Sequence, residues 1–267
     1  MSKKNPVVAL LTDFGTRDYY VAALKAAILK ISPSVQIVDI SHDVPPQDVR
    51  WGAFQLFSVF RDFPKGTLFL AVVDPGVGTR RNILFAEAAG YRFIGPDNGL
   101  LSLVFAAEKP RKVLALTKLK DLNHVSKTFH GRDVMAPVAA RILKGENPLK
   151  FGNPLKKWVV LPQLVIKKIG AKWSGEIIAI DHFGNLVTSF KAGEVTPLAK
   201  GSRLWFDLGR NRGTIRGLAK SYSESPEGGL LAIEGSHGFV EIAVRNGSAA
   251  EKTGLKAGNT VTLFFRT

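Results

Sequence analysis

The chain has 267 residues, 45% of them hydrophobic, enough to bury a substantial core in one large or two moderate domains. It contains no cysteine, which excludes disulfides, thiolate nucleophiles and Cys-ligated metals and fits the expected cytoplasmic location; no apolar run approaches the roughly 20 residues that cross a bilayer, so no membrane partner is expected. A formal net charge of +15, from 37 basic against 22 acidic residues, would favour a polyanion, yet the basic residues are scattered as pairs such as Lys3-Lys4, Lys156-Lys157 and Lys167-Lys168, which argues against nucleic acid as a partner.

The first part alternates strand-like and helix-like segments, the pattern of an α/β domain with a largely parallel sheet. Residues 7–11 form a continuous apolar run that reads as a buried strand, 19–31 as a helix stopped by Ser32-Pro33, and 35–39 as a second strand. Between 47 and 60, Val49, Ala53, Phe57 and Phe60 recur at helical spacing and predict an amphipathic helix. A fully buried strand is expected at 67–73, a pair of short strands at 83–88 and 91–94, a helix at 100–106, a strand at 112–116 and a closing helix at 133–143. Pro, Lys and Gly punctuation between Gly145 and Gly175 marks a boundary, giving an N-terminal α/β domain at 1–160 and a C-terminal domain at 161–267. The second domain has no long helical pattern. Short strands at 176–180, 186–190, 203–207, 230–234, 239–244 and 260–265, separated by Gly-rich turns, predict a small all-β barrel or sandwich.

In open α/β sheets ligands bind beyond the carboxyl ends of the strands, so polar residues that follow buried strands come first as candidates. The first strand runs into Thr12-Asp13-Phe14-Gly15 and the third into Asp74-Pro75-Gly76-Val77-Gly78-Thr79, which places two carboxylates at one edge of the sheet. Arg81 lies seven residues beyond Asp74 across a Gly-containing loop, able to return and hold a carboxylate or a water. His130 stands off any apolar periodic face, between Phe129 and Gly131, just before a helix. The Asp13-Phe14-Gly15 and His130-Gly131-Arg132-Asp133 segments have a kinase-like look that fails on order, since the kinase catalytic loop precedes that triplet. Gly76 and Gly78 make only a partial glycine signature, so a dinucleotide or phosphate-loop site is not expected. No closely spaced His or carboxylate cluster suggests a metal. In the second domain, Asp181-His182-Phe183-Gly184-Asn185 reads either as a plain hairpin turn or as a loop with polar anchors and a stacking ring; Glu234-Gly235-Ser236-His237-Gly238 is a similar turn.

Taken in order, the segments LLTDFGTRDYYV, VVDPGVGT followed by Arg81, IGPDNGLL, FHGRDVMAP and IDHFGNLVT resemble the S-adenosylmethionine hydroxide adenosyltransferases, or S-adenosylmethionine hydrolases, over nearly the whole chain. These enzymes are relatives of the fluorinase and chlorinase. The resemblance implies an N-terminal α/β domain, a C-terminal β-barrel, and a homotrimer with active sites between one subunit's first domain and a neighbour's second. It implies cleavage of the substrate S-adenosylmethionine by water at C5′, without a cofactor or metal. On this resemblance Asp74, Arg81 and His130 fall on the set that activates water, and Asp13 on the carboxylate that holds the ribose hydroxyls. Asp181, Phe183 and Asn185 fall on the loop that meets methionine and adenosine, and Ser236 on a methionine-contacting turn. Val244, Arg245 and Asn246 fall near the adenine pocket, with the register among them open. Where the halogenases carry an aromatic residue this chain has Asp74, and where the fluorinase carries tryptophan it has Gln47; both departures point to water in place of halide. A halogenase and a non-catalytic binder of S-adenosylmethionine or RNA stand as alternatives.

Overall fold

The computed structural model describes residues 5–119, 125–162, 166–199, 203–209 and 212–266. The chain separates into two compact units, Met1–Leu161 and Pro162–Thr267.

In the first unit, strands β1 (Val7–Thr12), β2 (Gln36–Ser41), β3 (Leu68–Val72), β4 (Ile83–Ala88), β5 (Tyr91–Pro96), β6 (Lys112–Ala115) and β7 (Asn153–Pro154) form one sheet in the order β2-β1-β3-β5-β4-β6-β7. The runs at β1 and β3 are apolar throughout because both faces of the sheet are covered. Val8 and Leu10 of β1, with Leu68, Leu70 and Val72 of β3, pack under helices α1 (Tyr20–Leu29) and α4 (Ala136–Leu143). Their alternating neighbours Ala9, Leu11, Phe69, Ala71 and Val73 pack under α2 (Val49–Val59) and α3 (Ser102–Ala107). Asp48 starts α2 by accepting a hydrogen bond from the Trp51 N–H at 2.9 Å.

The largely parallel sheet expected from the sequence is corrected to a mixed one. The pairs β1/β2, β1/β3 and β3/β5 are parallel, whereas β4/β5, β4/β6 and β6/β7 are antiparallel. The cause is local: β4 and β5 are joined by Ala89 and Gly90 alone, with φ of 49° and 82°, a two-residue reversal that can only produce an antiparallel pair.

The second unit is an antiparallel sheet built from β8 (Lys167–Ile169), β9 (Lys172–Ile180), β10 (Leu186–Lys191), β11 (Arg203–Asp207), β12 (Thr214–Arg216), β13 (Leu230–Glu234), β14 (Phe239–Val244) and β15 (Thr260–Arg266). Its order is β12-β11-β15-β9-β10-β14-β13, with β8 on β9. The sheet curls until it nearly closes: beyond β12, the Ala219 N–H donates to the Ala232 carbonyl at 2.8 Å, and Ala219 bridges to Ile233 of β13. Ile177, Phe190, Phe206, Ile242, Val261 and Leu263 fill the interior. Two short helices break the all-β expectation. The helix α5 (Ala192–Ala199) leads out of β10, and α6 (Ala249–Thr253) is capped by Ser248 and ended by Gly254 in the left-handed conformation, φ 64°.

Candidate active site

Strands β1 and β3 are parallel and in register, Thr12 opposite Val72, so the residues that follow them leave the sheet side by side. Asp74 follows β3 almost directly, and the chain then makes two tight turns, with Val77 N–H donating to the Asp74 carbonyl and Thr79 N–H to that of Gly76, both at 3.2 Å. These turns bring Arg81 back onto Asp74. Gly78 permits them, with φ 79° and a position where a Cβ would lie 2.5 Å from the Lys127 carbonyl oxygen. Asn98, from the IGPDNGLL segment, donates to the Val73 carbonyl at 2.8 Å and thereby fixes the strand end that carries Asp74.

Arg81 holds Asp74 with two parallel hydrogen bonds, Nε to Oδ1 at 2.7 Å and Nη2 to Oδ2. Only 9% of the arginine side chain and 4% of the aspartate's are exposed, so the pair is sheltered from screening by solvent. The same Nη2 lies 3.2 Å from His130 Nδ1. A guanidinium has no lone pair to offer, so it donates and Nδ1 accepts, leaving the imidazole proton on Nε2. Burial, and next the charge of Arg81, hold the His130 pKa below its ordinary 6.5 against the opposite pull of Asp74 and Asp133. The histidine stands at the head of a π-helical turn, Gly131–Met135, that continues into α4; such turns cluster at functional positions. Phe14, from the β1 loop, meets Phe129 edge to face at 5.6 Å and so ties the His130 loop to the strand edge.

Asp13 accepts from the Gln47 backbone N–H at 2.8 Å, and Gln47 adopts a left-handed φ of 66° to make that contact. Burial, reinforced by the charge of Asp74, raises the Asp13 pKa above its usual value. Behind it, Thr12 Oγ1 lies 2.8 Å from Nδ1 of the buried His42, whose Nε2 faces Asp39 Oδ1 at 3.1 Å. The Phe14 N–H donates to the same Thr12 oxygen at 3.3 Å, which anchors the Asp13 loop. Sequence reading missed Thr12, His42 and the Gln47 amide as supports, because a backbone donor and a buried polar pair 30 residues apart leave no local pattern.

In the second unit Phe183, Asn185, Tyr222, Val244, Arg245, Asn246 and Gly247 line an open cavity of about 550 Å³. Phe183 is 73% and Tyr222 47% exposed, so two aromatic faces stand ready for a partner. The structure therefore brings together Phe183, Asn185, Val244 and Asn246 of the sequence candidates and adds Tyr222, which the sequence did not single out. Asp181 is not part of this lining. Its carboxylate is engaged by its own loop, accepting from Phe183 N–H at 2.9 Å, Asn185 N–H at 2.8 Å and Asn185 Nδ2 at 2.8 Å. Gly184, φ 79°, closes that loop against Ser248. Ser236 is exposed on the turn between β13 and β14 and also lies outside the lining. Among the described residues no group of three or more His, Cys, Asp or Glu side chains is arranged to hold a metal ion.

A carboxylate clamped by a guanidinium that also touches an imidazole, set at the edge of an α/β sheet in a chain with an added antiparallel β unit, is the kind of arrangement with which an enzyme can hold and move a proton. The family model of the S-adenosylmethionine hydroxide adenosyltransferase N-terminal domain matches residues 8–152, and that of the C-terminal domain matches residues 175–262. The chain belongs to the S-adenosylmethionine hydroxide adenosyltransferase family. It is 36% identical to an (R)-S-adenosyl-L-methionine hydrolase of Thermus thermophilus, over 96% of this chain and 98% of that one. It is 28% identical to a fluorinase of an Actinoplanes species, over 97% of each chain. A crystal structure of an uncharacterized conserved protein from Thermotoga maritima superposes with a TM-score of 0.90 at 33% identity, covering 96% of this chain and 99% of that one.

Proposed function

We propose that this enzyme hydrolyses S-adenosyl-L-methionine to adenosine and L-methionine by attack of water on C5′, and that its substrate is the R epimer at sulfur, as the name of its hydrolase relative suggests. The observation that carries the reading is the Asp74, Arg81 and His130 contact network, which lies within the stretch matched by the family's N-terminal domain model. The sulfonium is a leaving group that needs no acid. The barrier lies in water, which must be placed in line with the C5′–S bond and lose a proton as it attacks. The new bond is O–C5′, the C5′–S pair returns to sulfur as the neutral thioether of methionine, and one water proton is released.

Three groups divide that work in our proposal. His130, with Nδ1 engaged by Arg81, presents an Nε2–H that orients the water but cannot take its proton. Asp74 retains lone pairs beyond those used by Arg81 and serves as the proton acceptor. Arg81 keeps Asp74 aimed, and lowers the energy of developing hydroxide. Asp13 holds the ribose hydroxyls through oxygen lone pairs left by the Gln47 amide. Asn185, Phe183 and the segment of Val244 to Asn246 take the adenosine, while Asp181 supports them through its loop and Ser236 meets the methionine end. A homotrimer in the cytoplasm, in which a neighbouring subunit's second domain completes each site, belongs to the same proposal; the division of water-handling and aromatic groups between separate units supports it. No cofactor enters.

Incubation of the purified protein with each sulfonium epimer, followed by chromatography, tests the reading. The expected result is adenosine and methionine in equal amounts from the R epimer, unchanged by chelator, with no halogenated nucleoside when chloride is present. Inactivity toward both epimers would overturn it.

A further inference from the structure

One buried carboxylate of the second unit takes no part in the reaction as proposed. Glu241 lies in the middle of β14, paired across the sheet with Val187 of β10 and Ile233 of β13, and is only 6% exposed. A charged group so placed is costly unless its oxygens are satisfied. Both are. Oε1 accepts from His237 Nε2 at 2.7 Å, and Oε2 accepts from the Tyr222 hydroxyl at 3.2 Å. The tautomer of His237 follows from its other nitrogen, since the Phe239 N–H donates to Nδ1 at 3.1 Å and the proton must sit on Nε2.

The two donors come from opposite directions. Tyr222 opens a short 3-10 turn, Tyr222–Glu224, and its ring forms part of the cavity lining beside Phe183 and Asn185. His237 belongs to the tight turn between β13 and β14, where Gly235 leaves the room that the imidazole and the carboxylate fill; a side chain there would run into both. Exposed rings are free to rotate about χ1 and χ2, and the loss of that freedom on binding weakens affinity. A hydroxyl tethered to a buried carboxylate removes much of that loss in advance.

We propose that Glu241 is a positioning residue for substrate: through Tyr222 it holds one aromatic wall of the cavity in place for the adenine ring, and through His237 it fixes the turn that carries Ser236. This rests on the reading of the cavity as the nucleoside site. The residue acts through its partners and touches no reacting atom, so its effect belongs to binding and leaves the chemical step alone.

The test compares wild type, Tyr222→Phe, Glu241→Gln and the double variant, measuring kcat and KM for S-adenosylmethionine and the Kd for adenosine by calorimetry. Tyr222→Phe keeps the ring and removes only the tether. It should raise KM and the adenosine Kd about three- to ten-fold, the range of one lost hydrogen bond, with kcat within about twofold. Glu241→Gln should do the same, and the double variant should be no worse than Glu241→Gln alone because the two changes cut one interaction. Unchanged KM and Kd in a folded Tyr222→Phe protein, a fall in kcat at constant KM, or fully additive losses would each overturn the inference. If Glu241→Gln fails to fold, Tyr222→Phe decides alone. Failure of the functional reading is distinguished by a wild-type protein that neither turns over substrate nor binds adenosine.

Discussion

In the proposed reaction Asp74 meets two demands, since a buried carboxylate needs donors for its oxygens while a proton acceptor must keep lone pairs available. The bidentate contact with Arg81 meets both by occupying one direction at each oxygen and leaving the rest. Asp74→Asn removes the acceptor and should lower kcat by about 10² to 10⁴, the usual worth of general base catalysis, with a much smaller change in KM. Steady-state kinetics checks this beside a melting curve, because an unpartnered Arg81 also costs stability. His130 predicts the pH behaviour. Its folded pKa lies below 6.5, so between that depressed value and 6.5 the unfolded chain binds more protons than the folded one and stability rises with pH. As pH falls through the depressed value the imidazolium can no longer accept from Arg81, and kcat/KM should fall with it. The acid limb is thus expected below 6.5. In Arg81→Ala the NMR titration of His130 should move upward, since the guanidinium is one of the groups that depress it. A downward move would contradict the assignment of charges.

The loop from Asp74 to Arg81 works because glycine sits where the backbone turns left-handed under the Lys127 carbonyl. Gly78→Ala adds a Cβ in that space and strains φ, at a cost of about 1–3 kcal/mol. Differential scanning calorimetry should register a lower Tm, and activity should fall because Arg81 no longer returns to Asp74. Much at this scale was legible in the sequence. The continuous apolar runs of β1 and β3 announced strands covered on both faces, and the polar residues after them named Asp13 and Asp74. The direction of β4 was not legible, for apolar content does not report whether a partner runs parallel; the two-residue reversal at Ala89 and Gly90 decided it. The helix α5 was missed because Pro197 inside it reads as a breaker. Pairings across long separations also escaped notice, Thr12 with His42 and Tyr222 with Glu241, since neither produces a local period.

At the scale of the molecule, the Asp74, Arg81 and His130 network and the cavity beside Phe183 and Tyr222 reside in units with separate cores, an α/β sheet and a nearly closed antiparallel one. The sequence motifs named the network and most of the cavity lining, Tyr222 excepted, but no pattern within one chain encodes whether copies assemble. Light scattering of the purified protein should give three times the 29.0 kDa chain mass; a monomer with full activity would remove the neighbour's contribution from the account. The dispersed charge of +15 gives a further check, since turnover should be little affected by added polyanion. The most direct measurement follows oxygen. When the R epimer is turned over in ¹⁸O-labelled water, mass spectrometry should find one heavy oxygen in adenosine, at the 5′-hydroxyl, and none in methionine. Unlabelled adenosine, or a methylthioadenosine accompanied by labelled homoserine, would mean that water does not displace methionine at C5′.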